Sequence, residues 1–202
     1  MKPTDILSSE HRVIEQVLDC LERIIDDANV SGRLNAAAAR DAISFFRTFA
    51  DQCHHGKEET HLFPAMEAKG FPAEGGPTGV MRHEHEMGRG CIRVMDGAVD
   101  AAAQGDRDAV QRFAQAGEGY ISLLRQHIEK EDHCLFSMAN EAFTDEDQAE
   151  LMAKFEMVEA GEMGRGTHEK FLALAGPLAE KYGVPQMAAA QAGHGGGCCH
   201  HH

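Results

Sequence analysis

Of the 202 residues none is Trp, only two are Tyr, and aromatic residues together make up 6 %. β-Sheets draw on aromatic and β-branched side chains, so this shortage argues against an all-β fold. Cationic side chains are also in deficit: 19 Lys and Arg against 33 Asp and Glu leave a formal charge of −14. Such a surface opposes phosphate backbones and anionic lipid headgroups, so neither nucleic acid nor a membrane is expected as a partner. No apolar run approaches the roughly 18 residues of a membrane span. A signal peptide is missing too, because Asp5, Glu10, His11 and Arg12 interrupt the first stretch, and a cytoplasmic location is expected. Cys20, Cys53, Cys91 and Cys134 lie far apart in amphipathic segments and read as buried thiols, not as a disulfide framework.

What the chain has in quantity is His, with 13 residues. Imidazole combines acid–base chemistry near neutral pH with affinity for transition metals, so the placement of these residues is the central question. Four long segments show helical periodicity. The first covers about 4–27 and ends at Asn29, Ser31 and Gly32. The second covers about 34–66 and runs into Gly70, Pro72, Gly75, Gly76 and Pro77. The third spans about 78–103, and the fourth starts at an Asp106 N-cap and reaches about 142. Their lengths and short connections predict an all-α fold, an up-down antiparallel four-helix bundle over residues 1–143. A capping box at Thr144 and Asp147 opens a helix with Leu151, Phe155 and Val158 on its apolar side. After a break at Gly161, Gly164 and Gly166, another helix passes through Phe171, Leu174, Leu178 and Tyr182. These two additional helices form an extension over 144–182. Residues 183–202 are expected to be a disordered tail, its Cys198, Cys199 and His200 to His202 an inert end and not a soft-metal site.

Steps of four and three residues along each helix show which side chains face the core. The first stripe is Leu7, His11, Ile14, Leu18, Leu21, Ile25, and the third is Met81, His85, Gly88, Ile92, Met95, Val99. The fourth reads Phe113, Tyr120, Leu124, His127, Glu131, Cys134, Met138. In the second helix the row Phe46, Ala50, His54, Glu58, Leu62 sets a His and a Glu among apolar neighbours. Each helix therefore sends one His inward, and the second and fourth add a carboxylate one turn later. Burying four imidazoles and two carboxylates is costly unless cations compensate them. Carboxylates bridge ions, so the donor count suits a two-metal centre with open positions, iron being favoured, over a closed tetrahedral zinc. His55 is assigned to a solvated face by its row Arg47, Asp51, His55, Glu59, and His61, His83, His133 and His168 miss the stripes. Asp132, five residues after His127, is a rival or supplement to Glu131.

These residues resemble the hemerythrin-like family, the HHE cation-binding domain. The resemblance rests on Glu10-His11-Arg12, on His54-His55-Gly56-Lys57-Glu58-Glu59 with Leu62-Phe63-Pro64, on Glu84-His85-Glu86, and on His127-Ile128-Glu129-Lys130-Glu131 with Leu135-Phe136. It implies a non-haem centre of two iron ions, with His11, His54, His85 and His127 as terminal ligands and Glu58 and Glu131 as bridges. Oxygen carriers of the family have a His-x-x-x-His pair in the third helix and an Asp five residues after the fourth-helix His. Met81 stands in the first place here and Glu131 precedes Asp132 by one, which argues against reversible oxygen carriage.

The resulting expectation is a di-iron protein that binds or senses dioxygen, nitric oxide or peroxide. The alternatives are an enzyme that detoxifies peroxide or nitric oxide, and an iron donor in iron–sulfur cluster repair. A ferritin-like centre would need two Glu-x-x-His motifs on separate helices, and only Glu58-Glu59-Thr60-His61 has that spacing.

Overall fold

The computed structural model describes residues 1–158 and 167–186, apart from the side chains of 167–170 and 172. The predicted break at Gly161, Gly164 and Gly166 and the tail from 187 onward lie outside the described residues. Six helices and no strand occur within them. They are α1 (Pro3–Ser31), α2 (residues 36–68), α3 (Pro77–Ala103), α4 (residues 107–142), α5 (Asp145–Met157) and α6 (Thr167–Tyr182). No helix is long and apolar enough to cross a membrane among these residues.

The helix ends follow local chemistry. Pro3 and Pro77 stand in first turns, where their missing N–H costs nothing. Asn35 and Asp106 accept the amides of Ala38 and Ala109 at 3.2 and 2.9 Å. The predicted Thr144 capping box is present, with Thr144 Oγ1 accepting the Asp147 amide at 3.2 Å. α1 continues to Ser31, past the expected stop, and ends where Gly32 turns left-handed at φ 71°. The first residues of the expected tail cap α6: Gly183 has φ 64°, its amide reaches the Glu180 carbonyl, and the buried Val184 donates to Ala179.

Two helices widen where the centre forms. In α2 the segments Phe46–His55 and Glu58–Leu62, and in α4 the segment Glu131–Leu135, are π-helical, with i→i+5 hydrogen bonding. In a regular α-helix every four-residue step overshoots a turn by about 40°, so a row of five such positions drifts off its face. The wider turns remove that drift, and Phe46, Ala50, His54, Glu58 and Leu62 are all buried. In α4 the widening shifts the stripe by one residue. Leu135, Phe136 and Ala139 turn inward, whereas Cys134 and Met138, expected inside, are exposed. Cys91 is half-buried, and Cys20 and Cys53 are buried as expected.

α1 packs on α2 and α4, and α3 packs on the other side of the same two helices. Two apolar clusters fill the interior. The larger runs from Ile14 through Leu21, Phe46, Ile92, Met95, Phe113 and Leu124, and includes Phe171 and Leu178 of α6. The smaller gathers Leu7, Leu62, Phe63, Met81, Leu135 and Phe136 with Leu151 and Phe155 of α5. Between them lies one polar layer, because on each of the four long helices a His separates residues of the two clusters. His11, for example, stands between Leu7 and Ile14.

Candidate metal centre

The structure brings all six predicted site residues into that layer. His11, His54, His85, His127, Glu58 and Glu131 are each no more than 2 % exposed. Two groups of donor atoms, each within 4.8 Å of one another, could hold an ion: His11, His54, Glu58 and Glu131, and His55, Glu58, His85 and His127.

The imidazoles form two similar pairs. His11 and His54 have ring centroids 4.6 Å apart at 61°, and His85 and His127 are 4.7 Å apart at 64°. Each carboxylate gives one oxygen to each pair. Glu131 Oε2 is 3.1 Å from His11 Nε2, and its Oε1 is 3.3 Å from His127 Nε2. Glu58 Oε1 is 3.6 Å from His54 Nε2, and its Oε2 is 3.5 Å from His85 Nε2.

Behind the rings runs a closed relay in which each helix orients the imidazole of the next. Glu10 of α1 accepts from His54 Nδ1 at 2.9 Å, and Glu59 of α2 accepts from His85 Nδ1 at 2.6 Å. Glu84 of α3 accepts from His127 Nδ1 at 2.9 Å, and Asp132 of α4 accepts from His11 Nδ1 at 2.9 Å. Nδ1–H donation to a carboxylate selects the tautomer whose Nε2 lone pair faces the centre, the usual support of a metal-binding imidazole. Asp132, the rival ligand, thus stands behind His11. A cation holds each outer carboxylate: Lys57 on Glu10 at 2.5 Å, Arg89 on Glu59 at 2.9 Å, Lys130 on Glu84 and Arg12 on Asp132.

The donors are poorly satisfied without an ion. His54 Nε2, His55 Nε2, both Glu58 oxygens and Glu131 Oε1 are buried and have no hydrogen-bond partner. An orphaned buried polar atom costs about 1–3 kcal/mol, and these five share one layer, so a cation there offsets the cost of all of them. Burial, aided by the charge of Glu131, pushes the Glu58 carboxyl far up. Burial opposes ionisation of Glu131 as well, but His127 and His11 outweigh it and hold its pKa low. Burial and neighbouring imidazoles push His54 and His85 down. At His11 burial acts in the same sense, yet hydrogen bonds to Asp132 and Glu131 prevail and push its pKa up to about 9.

The two pairs differ in their surroundings. Phe136 stacks on His11 at 5.5 Å, and the fully buried Lys57 lies 5.8 Å from the Phe155 ring of α5. On the other side a cavity of about 170 Å³ is lined by His55 and His85 and by Phe46, Gly88, Ile92 and Tyr120. The exposed Arg47 and Arg93 also line it.

Of the residues set aside at the sequence level, His83 and His133 are exposed, His61 is half-buried, and the side chain of His168 lies outside the described residues. His55 is a correction. It is 5 % exposed and joins the second donor group, because the π-helical turn carries two consecutive residues inward. The outer carboxylates were also missed, though a signal exists. His54-x-x-Lys57-Glu58-Glu59 and His127-x-x-Lys130-Glu131-Asp132 share one spacing, and Glu10-His11 and Glu84-His85 share another.

Comparison with known sequences agrees with this geometry. Uncharacterized proteins of Mycobacterium bovis and of two strains of Mycobacterium tuberculosis are each 24 % identical to the chain over 186 residues, covering 92 % of it and 72 % of each relative. No solved structure matches the chain. The profile of the hemerythrin HHE cation-binding domain matches residues 2–139, the stretch that supplies all the inward imidazoles and carboxylates, and the chain belongs to that family.

Proposed function

We propose that this chain is a non-haem di-iron protein that binds or senses a small ligand such as dioxygen, nitric oxide or peroxide. The observation that carries the reading is the placement of Glu58 and Glu131, each with one oxygen toward each His pair, as two bridging carboxylates require. His11 and His54 would hold one ion and His85 and His127 the other. Imidazole and carboxylate donors without thiolate suit iron. An up-down antiparallel order of α1 to α4 accounts for the placement, since short connections then bring one His of each helix to the same level.

Bound iron with open positions supplies reversible coordination and electron transfer to small oxygen- or nitrogen-containing ligands. The protein's own part is positioning and insulation. Glu10, Glu59, Glu84 and Asp132 hold the four rings in one tautomer, and their partner cations neutralise them. The apolar clusters above and below the layer keep bulk water from the donors. The cavity beside His85 has room for a small ligand. The formal net charge of −14 disfavours nucleic acid and anionic membranes as partners.

The test is anaerobic purification with metal analysis, followed by absorption spectra before and after dioxygen or nitric oxide. Two irons per chain and a reversible spectral change are expected, with the iron lost in His54→Ala and Glu131→Ala. A stoichiometric single zinc would overturn the reading, and sustained consumption of peroxide or nitric oxide would replace binding by catalysis.

A further inference from the structure

The outer face of α3 carries an apolar pattern that the bundle itself does not use. Among the described residues seven large hydrophobic side chains are exposed, and three of them, Val80, Met87 and Val94, stand seven residues apart on α3 at 44, 49 and 51 % exposure. A single exposed hydrophobe is ordinary, but a seven-residue repeat is the spacing with which one helix presents a seam to another. The C-terminal extension lies elsewhere, since α5 and α6 pack on α1 and α2. With the positions three residues further on, the seam reads Val80, His83, Met87, Gly90 and Val94, His83 being exposed and Gly90 half-buried. We propose that α3 is a homodimer interface, on which α3 of a second copy lies antiparallel, with Met87 of each copy over Gly90 of the other.

Size sets the direction. Nothing within the chain requires glycine at position 90, where an added Cβ would meet only the far end of Arg93, its Nη2 at 3.9 Å. Glycine in mid-helix weakens the helix, and the close approach of a second helix gives it a use. In an antiparallel pair the two kinds of seam position face each other, so Met87 fills the space over the partner's Gly90 and Val94 lies over the partner's His83. Parallel pairing would set glycine on glycine and leave that layer unfilled.

Charge selects the same register. Glu86 and Arg93 each stand one residue before a seam residue, on the same flank of the seam. When Met87 lies over the partner's Gly90, Glu86 comes beside the partner's Arg93, and the two-fold axis repeats the pair. Both side chains are available for it. Glu86 is 63 % exposed and shares Arg89 with Asp51 and Glu59, while Arg93 is exposed and makes no ion pair among the described residues. Parallel pairing would set Glu86 beside Cys91 instead. Residues 77–103 hold three Arg against four Asp and Glu, so α3 is nearly neutral in a chain of formal charge −14, and self-repulsion opposes pairing little there. Arg93 also lines the cavity beside His85, so the paired helices border it.

Sedimentation of the purified full chain over about 1–100 μM is the test, with helix content measured on the same samples. The wild type is expected to be a dimer at the upper end, and Met87→Glu a monomer throughout. Glu86→Arg and Arg93→Glu, each of which sets like charges together twice, should weaken the dimer about tenfold. The double variant Glu86→Arg, Arg93→Glu restores opposite charges and should return to within about threefold of the wild type. Helix content should hold in all four, because the substituted side chains are exposed. A wild-type chain that stays monomeric, a dimer indifferent to Met87→Glu or to the single charge reversals, or a double variant no tighter than the singles would each overturn the proposal.

Discussion

The His11/His54 and His85/His127 halves of the centre have matching donors and unlike environments. Each half has two imidazoles at nearly the same angle, one oxygen from each of Glu58 and Glu131, and a carboxylate behind every ring. Around them, the first half is covered by Phe136, Lys57 and Phe155, and the second faces a cavity. The donors repeat from one half to the other, whereas the packing around them does not, and only the His85/His127 half opens on a cavity.

The strongest way to break the comparison is at the two symmetry-related lysines. Lys57 is fully buried on Glu10, whereas Lys130, on Glu84, is 43 % exposed. Lys57→Met leaves a buried carboxylate without its ammonium and is expected to cost about 3–5 kcal/mol of folding stability. Lys130→Met leaves Glu84 near solvent and should cost no more than about 1 kcal/mol. Urea denaturation of the two variants measures the difference, and equal losses would deny the distinction between a covered and an open half.

A smaller effect comes from pH. In the metal-free chain the His11 pKa is pushed up to about 9 by Asp132 and Glu131 against the opposing effect of burial, while burial and its neighbours hold His85 down. A raised His pKa stabilises the fold fully below the unfolded value near 6.5 and loses that contribution as pH climbs through about 9. Metal-free protein should therefore lose this contribution between those limits. Metal uptake would run the other way, because His11 and the Glu58 carboxyl, which burial pushes far up, must each shed a proton to coordinate, whereas His85 is already neutral. Metal affinity is expected to strengthen as pH rises toward 9, by up to about tenfold per pH unit for each proton displaced. Metal titration at several pH values checks this, and an affinity independent of pH would show that neither proton is displaced.

The smallest expected effect sharpens the account of the cavity. A Cβ on Gly88 would lie 3.3 Å from Tyr120 Cε2, so Gly88→Ala crowds the cavity wall while gaining helix propensity. Stability should change by no more than about 1 kcal/mol, with iron content unchanged and azide binding, titrated optically, weakened two- to threefold, roughly. Gly97→Ala, where an added Cβ meets nothing within 4 Å, is the control for the titration.

Much of the centre was legible in the linear chain. A His interrupts every apolar stripe, and a Glu follows it by four residues on α2 and α4, so His11, His54, Glu58, His85, His127 and Glu131 could be named from periodicity alone. Where a helix stays regular, as around His11 and His85, the stripe reading holds to the residue. It slips where the backbone widens. Cys134 and Met138 are outside and His55 is inside because i→i+5 turns alter the rotation per residue, and the α-helical period carries no trace of that change. The relay behind the rings shows the same limit. Glu10 is adjacent to His11 in sequence yet supports His54, and Glu84 is adjacent to His85 yet supports His127.

By itself the sequence determined which residues are polar at inward positions, and with that a His/Glu layer that a cation would satisfy. Helical periodicity is a local property, and burial of charge is costly wherever it occurs. Only the tertiary structure decided which carboxylate stands behind which imidazole, that His55 stacks on His85, and that one half is covered by Phe155 while the other faces a cavity. Those relations join side chains on different helices, so they depend on how the helices pack and on where a turn widens, and neither is encoded in the spacing of any single segment.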